Sequence, residues 1–240
     1  MNKRTLLVPA LAAGLLLILA APAQAALSII QPIDVEASTE LSGFFNRTGE
    51  RSIDGSGLTD PSIVQTGSPV PAVWPGHINN AGSGASASMW LSGNVGTDQI
   101  SNQWIMFDLG QTYDLRGMHL WNYNETNPGD LTNRATEDIR LSFATTLNSF
   151  GDPTDPNWSA PMDMTLIRPP GSPNTLNSDY TGETYGFPDV EARYVLFDIQ
   201  SNYGSTYVGL AEVRFLTPEP AKSLLLAIGA MTVFLRRRRR

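Results

Sequence analysis

The chain contains no cysteine and only two histidines, His77 and His119, in 240 residues. Without cysteine there is no disulfide scaffold, no thiolate metal site and no cysteine nucleophile. Two histidines leave little material for a multi-histidine metal centre or a serine–histidine triad. Charged residues are also sparse, at 16%. Long stretches of 3.6-residue apolar periodicity are missing between the two ends, and 21 glycines with 17 prolines argue against a helical bundle. At 41% hydrophobic residues the chain is too apolar to be disordered. Basic residues are concentrated at the ends. With Lys3, Arg4, Lys222, Arg236 to Arg240 and Glu219 set aside, Ala26 to Thr217 holds eight basic and 22 acidic residues, a net charge of −14. Such a body repels nucleic acid and anionic lipid, and it suits cations, neutral ligands or a saline exterior.

What the ends do contain is addressing information. Lys3 and Arg4 form a positive start, Leu6 to Ala20 is apolar apart from Pro9 and Gly14, and Ala23-Gln24-Ala25 is a small-x-small cleavage site. This order reads as a secretory signal peptide over 1–25, cleaved after Ala25; a retained membrane anchor is the alternative. At the other end Pro218-Glu219-Pro220 precedes an apolar stretch from Ser223 to Leu235 and the run Arg236 to Arg240. Thirteen apolar residues make about 20 Å of helix at 1.5 Å per residue, short against a hydrocarbon core of about 30 Å. The arginines would stay cytoplasmic and leave the body outside. The arrangement resembles the PEP-CTERM sorting signal of Gram-negative bacteria. That resemblance implies an exosortase-type processing enzyme as partner, transient membrane attachment over 217–240, and delivery to the cell envelope, outer surface or extracellular matrix. An ordinary tail anchor is the alternative.

Between these ends, short segments bounded by Gly, Pro, Asn and Asp alternate apolar and polar residues with period two, the pattern of half-buried strands. Strands are expected at Ser86–Ser92, Gln103–Leu109, Leu115–Tyr123 and around Ile139, Leu141 and Phe143. Two more are expected around Val195, Phe197 and Ile199, and around Ala211, Val213 and Phe215. Each should have one buried and one wetter face. Residues 60–84 and 150–186 read as long loops with a minor strand near Met164–Ile167. The expected fold is all-β, a jelly-roll β-sandwich over 26–216, flanked by an N-terminal signal helix and a C-terminal hydrophobic helix.

Five segments then occur in a telling order: Ser52-Ile53-Asp54-Gly55-Ser56-Gly57-Leu58-Thr59, Trp104 to Gly110, Leu120 to Glu125, Ala192-Arg193-Tyr194-Val195, and Gly209 to Phe215. Together they resemble the discoidin (coagulation factor 5/8 type C) family, with its galactose-binding-like fold. Its bacterial members include carbohydrate-binding modules attached to glycosidases. The resemblance implies a structural calcium site, with the Asp54 carboxylate, the backbone carbonyls of Ser56 and Ala211, Thr59 and Glu212 as ligands. Calcium wants six to eight hard oxygens, and Gly55 and Gly57 would let the turn bend carbonyls inward. An Asp-Gly turn with a solvent-facing Glu212 is the other reading of the same residues.

A sugar offers apolar C–H faces ringed by hydroxyls, so its site needs an aromatic platform and a few polar partners. Trp74, His77, Trp90, Tyr123, Asn124, Arg134, Tyr203 and Tyr207 are of suitable type and lie in loops or near strand ends. Trp104 and Trp121, inside strands, belong to the core; Trp74 and Tyr203 fit either role. Glu125, Glu137 and Asp138 are carboxylates of the kind a glycosidase pairs, but nothing in the sequence links an acid to a nucleophile. The expected function is a non-catalytic, carbohydrate-directed binding module, with extracellular polysaccharide as partner. A structural or adhesion protein is the first alternative and a glycan hydrolase the second.

Overall fold

The structure is a computed structural model that describes residues 26–171 and 176–219; the expected signal helix over 1–25, Pro220 and the expected hydrophobic helix lie outside these residues. Eight strands build it: β1 (Leu27–Ile30), β2 (Asp34–Ala37), β3 (Trp90–Leu91), β4 (Trp104–Asn122), β5 (Asp138–Ala144), β6 (Met162–Thr165), β7 (Glu183–Ile199) and β8 (Gly209–Pro218). Every strand pairing is antiparallel, and helical structure among the described residues is limited to short 3-10 turns.

Two long strands generate the sandwich. The first part of β4 (104–108) lies between β2 and the last part of β7 (194–198), and β5 and β6 extend that layer. The second part of β4 (117–122) lies between the first part of β7 (183–186) and β8, whose outer edge carries β1 and β3. Register shifts between Asp108 and Tyr113 and between Leu115 and Gly117 mark where β4 passes from one layer to the other. Irregularities of this kind bend a strand and let it change sheets. The layers meet at three phenylalanines. Phe107 and Phe197 of the first layer face Phe215 of the second, with ring centroids 5.8 and 6.5 Å from it. Asp108 and Arg193 add a bidentate pair across β4 and β7, at 2.9 and 2.8 Å.

The second layer is buried on both faces. A second apolar cluster, with Ile29, Leu58, Val64, Met89, Trp121 and Leu216, lies beneath the loops between β2 and β3. This corrects the expectation that each strand keeps one wet face. Along β8 the polar positions Glu212 and Arg214 are as buried as Val213 and Phe215, because residues 54–64 fold over them. Other expectations shift at their edges. Ser86–Ser92 is a strand only at Trp90–Leu91, the two segments of residues 103–123 fuse into β4, and β7 starts well before Val195. The minor strand falls at Met162–Thr165. The last strand continues past residue 216: Pro218 pairs with Leu27, and the Glu219 N–H donates to the Ala26 carbonyl at 2.7 Å.

Candidate functional site

The loop Leu41–Arg47 is a tight hairpin. Leu41 and Arg47 are bridged, and Gly43 (φ 68°) and Asn46 (φ 50°) reverse the chain between them. Gly is favoured at such φ and Asn tolerates it, so the two residues left at the tip are Phe44 and Phe45. The Gly84 N–H donates to both phenylalanine carbonyls, at 3.0 and 3.2 Å, and Asn46 Nδ2 donates to the Gly84 carbonyl at 3.1 Å. The hairpin is thereby stitched to residues 82–88. Phe44 is 79% exposed, Phe45 42% and nearby Leu176 60%, among the most exposed large apolar side chains described. The two Phe rings pack edge to face, centroids 5.5 Å apart.

Beside this rim is a concave pocket of about 690 Å³, lined by Phe45, Arg47, Ser56, Gly57, Ile78, Asn80, residues 82–83 and 85–88, Glu125, Pro128 and Leu176. Its buried charges are consumed internally. Arg47 spends all five donors, on the Gly82 carbonyl (3.4 and 3.1 Å), on Tyr123 Oη (2.7 Å) and on both oxygens of Glu125 (3.2 Å each). Glu125 also accepts from Arg134 Nη1 at 3.2 Å and from the Tyr123 hydroxyl. Burial beside this carboxylate pushes the Tyr123 phenol far up, so it stays a neutral donor. Among the lining residues Glu125 is the single carboxylate, whereas glycoside hydrolysis in its usual form takes two. What remains for a ligand is neutral. Asn80 commits Oδ1 to the Gly82 N–H at 2.8 Å and leaves Nδ2.

His77 holds two walls of the pocket together. Its Nε2 lies 3.1 Å from the carbonyls of Ser56 and Ser88, and its Nδ1 3.1 Å from Asn124 Oδ1 and 2.8 Å from the Ile78 carbonyl. Burial pushes its pKa down, against the four acceptors around it. Of the expected ligand residues, His77, Tyr123 and Asn124 are therefore buried behind the pocket as supports. Arg134 is half-buried, with its guanidinium 5.0 Å from the Tyr207 ring centroid. Trp90 is corrected outright: it is fully buried between the layers, and its indole donates to the Thr39 carbonyl at 3.1 Å. Tyr203 is half-buried, its hydroxyl donating to the Leu166 carbonyl and Arg168 lying over its ring. Phe44, Phe45, Arg47 and Asn80 are not among the residues that the sequence singles out.

Trp74 lies elsewhere, stacked on His119 with centroids 3.7 Å apart and planes 6° from parallel, while Trp121 meets both rings edge-on. One face of Trp74 is thus already covered. His119 accepts from Thr184 Oγ1 at 2.7 Å and donates to the Thr181 carbonyl at 2.8 Å, a neutral tautomer. Burial lowers its pKa from 6.5 to about 4. The unfolded chain then binds the extra proton first, so stability is full above pH 6.5 and is lost as the pH falls towards 4. The expected loss is about 3 kcal/mol at most, since each tenfold difference in proton affinity is worth about 1.4 kcal/mol. Urea titrations of the wild type and His119→Gln at pH 7 and pH 4 measure it by difference. His119→Gln should lose this share of the pH dependence, while the shares of His77 and Glu212 remain.

The residues expected to hold calcium are brought together but are engaged by protein donors. Asp54 accepts from Arg51 Nη1 at 2.9 Å and from the Ser56 N–H at 2.7 Å. The Ser56 carbonyl faces His77 Nε2, and Thr59 Oγ1 accepts from the Gly76 N–H at 3.1 Å. Glu212 accepts from the Gly55 N–H at 2.8 Å and from Arg214. Burial pushes the Glu212 carboxyl up to about 7, with Arg214 pulling it down and Asp54 adding to the rise. Ala211 is the extra residue where the β4–β8 register jumps from Trp121/Glu212 to Asn122/Leu210. A donor set in which both carboxylates already carry a guanidinium does not fit a calcium ion, which needs several free oxygens and excess negative charge. Among the described residues no group of three or more His, Asp or Glu is placed to hold a metal.

No protein-family model and no curated protein matches the sequence. Among solved structures, the chain is similar to truncated AlyQ with CBM32 and alginate lyase domains (18% identity, TM-score 0.44), covering 82% of this chain and 35% of that one. It is similar also to the family 32 carbohydrate-binding module of C. perfringens NanJ in complex with galactose (11%, 0.41; 79% and 98% covered). A third is the lectin domain of Lectinolysin complexed with Lewis B antigen (16%, 0.42; 76% and 90% covered). The chain thus spans about a third of the AlyQ structure's length. At these identities and TM-scores no ligand passes from those proteins to this chain, and its function rests on the residues described above.

Proposed function

We propose that the chain is an exported, non-catalytic module that binds a neutral glycan in the pocket beside Phe44 and Phe45. The observation that carries this reading is the pairing of an exposed aromatic rim with a concave wall whose charges are all satisfied internally. An aromatic face suits sugar C–H groups, and the Asn80 amide suits sugar hydroxyls. A uronate or sulfated chain would find no free cation there. All eight arginines of the described residues are in ion pairs, and the body around them is strongly acidic. Exposed single sites of this kind bind weakly because association entropy offsets much of the contact energy, and many copies at one surface recover the attachment by avidity.

Display follows from the ends. The sequence features of residues 1–25 support export, and those of 217–240 support exosortase processing and delivery to the envelope or matrix of a Gram-negative bacterium. The pocket adjoins the Gly209 end of β8 through residues 86–88 and β3, and Pro218 is at the other end, about 30 Å away at 3.3 Å per residue. A tail leaving beyond Glu219 would therefore hold the pocket outward. A glycan array with neutral and uronate-bearing oligosaccharides tests the reading, followed by an assay for released reducing ends. Binding confined to neutral glycans without release is expected; preferred uronate binding, or release that Glu125→Gln stops, contradicts it.

A further inference from the structure

We propose that the loop spanning residues 53–64 is clamped to β8 by a buried guanidinium in place of a metal ion, with Arg214 as the positioning residue. Arg214 is fully buried, and its contacts span the whole junction. Its Nε donates to the Val64 carbonyl at 2.7 Å, the far end of the loop. Its Nη1 donates to the Val213 carbonyl at 2.7 Å and to Glu212. Glu212 in turn accepts from Gly55 N–H, at the near end of the loop. One guanidinium–carboxylate pair thus holds both ends of the loop to the strand, the task a cation would perform by collecting oxygens from each.

The charges and donors agree with this. Asp54 and Glu212 are the two acids of the junction, and each is paired with its own guanidinium, Arg51 and Arg214. Nη2 of Arg214 is buried without an acceptor and lies 3.7 Å from where a Cβ on Gly55 would be, so the strand turns a positive edge towards the turn. A divalent cation entering here would meet that edge and would have to displace hydrogen-bond donors from Asp54, Ser56, Thr59 and Glu212. Only a planar fork with five donors bonds a strand carbonyl, a loop carbonyl and a carboxylate together; an ammonium on a flexible stem lacks that geometry. The clamped loop matters beyond itself, because Ser56 and Gly57 form one wall of the pocket.

The test uses the whole mature chain and needs no glycan, so its outcome is separate from that of the proposed function. Melting temperature is measured with calcium chloride and with EGTA, for the wild type, Arg214→Met and Arg214→Lys. The wild type should melt at the same temperature in both buffers. Both variants should melt lower by several degrees in both buffers, with Lys giving no rescue. Amide exchange should accelerate between Gly55 and Val64 while β5 and the 194–198 part of β7 stay protected. A wild-type melting temperature raised by calcium and lowered by EGTA overturns the proposal, and so does an Arg214→Met protein as stable as the wild type. Should the variants fail to fold, the wild-type comparison still decides.

Discussion

Arg47→Met should destabilise the domain by about 3 kcal/mol, the lower end of the range for removing one partner of a buried ion pair. The reason is what the guanidinium leaves behind. Arg47, Glu125 and Tyr123 are all buried, and Arg47 supplies two of the donors to the carboxylate as well as both donors to the Gly82 carbonyl. Arg134 still reaches Glu125, at 3.2 Å, so the carboxylate is not wholly abandoned. Chemical denaturation reads the loss directly. Adding Glu125→Leu should restore part of it, because an apolar replacement of the whole pair avoids the stranded charge. A single variant as stable as the wild type would mean that the network contributes nothing. Glycan binding should fall with the single variant too, since the Gly82 turn forms part of the pocket wall.

Gly57→Ala should be strongly damaging. Gly57 has φ 84°, which L residues rarely adopt, and an added Cβ would lie 2.5 Å from His77 Nε2 and 2.9 Å from Ser88 Cβ. His77 cannot retreat, being buried and surrounded by four acceptors. Backbone strain of about 1–3 kcal/mol and overpacking of about 1–3 kcal/mol add at one site. Gly67→Ala is the control. Its φ is 86°, but nothing lies within 4 Å of the added carbon, so only the backbone part remains and the pocket is untouched. Denaturation of the two variants side by side separates the contributions. Equal losses would show that the His77 contact is soft.

Much of this fold is legible in the sequence because period-two alternation survives wherever one face is core. Ile105, Phe107 and Leu109, or Val195, Phe197 and Ile199, give their strands away. The alternation fails as a guide on β8. Glu212 and Arg214 look wet, yet each satisfies the other and a loop covers them, so both become interior. A buried ion pair two residues apart on one strand has the same sequence signature as two solvated charges. β1 and β2 escape notice for another reason: each has four residues, too few to display a period.

Legibility of the site is poorer. Aromatics near strand ends are the natural candidates, but Trp90 and Tyr123 fill the interior and Trp74 is spent on His119. The pair Phe44-Phe45 carries a usable signal: two phenylalanines between Gly43 and Asn46, where a turn leaves no core to enter. Arg47 gives none, because its role is set by Gly82, Tyr123 and Glu125, which are distant in sequence.

On the proposed function, the phenylalanine rim and the neutral pocket beside it bind a neutral glycan. The most direct measurement is calorimetric titration of wild type, Phe45→Ala and Trp74→Ala with the neutral oligosaccharide that a glycan array selects. Phe45 is 42% exposed and stands outside both apolar clusters, so its loss should leave the melting temperature nearly unchanged. A stacked ring is worth about 0.5–1.5 kcal/mol, so affinity should fall up to about tenfold. Trp74→Ala should leave affinity unchanged. Undiminished binding by Phe45→Ala, with binding lost in Trp74→Ala, would contradict the account and place the glycan at Trp74.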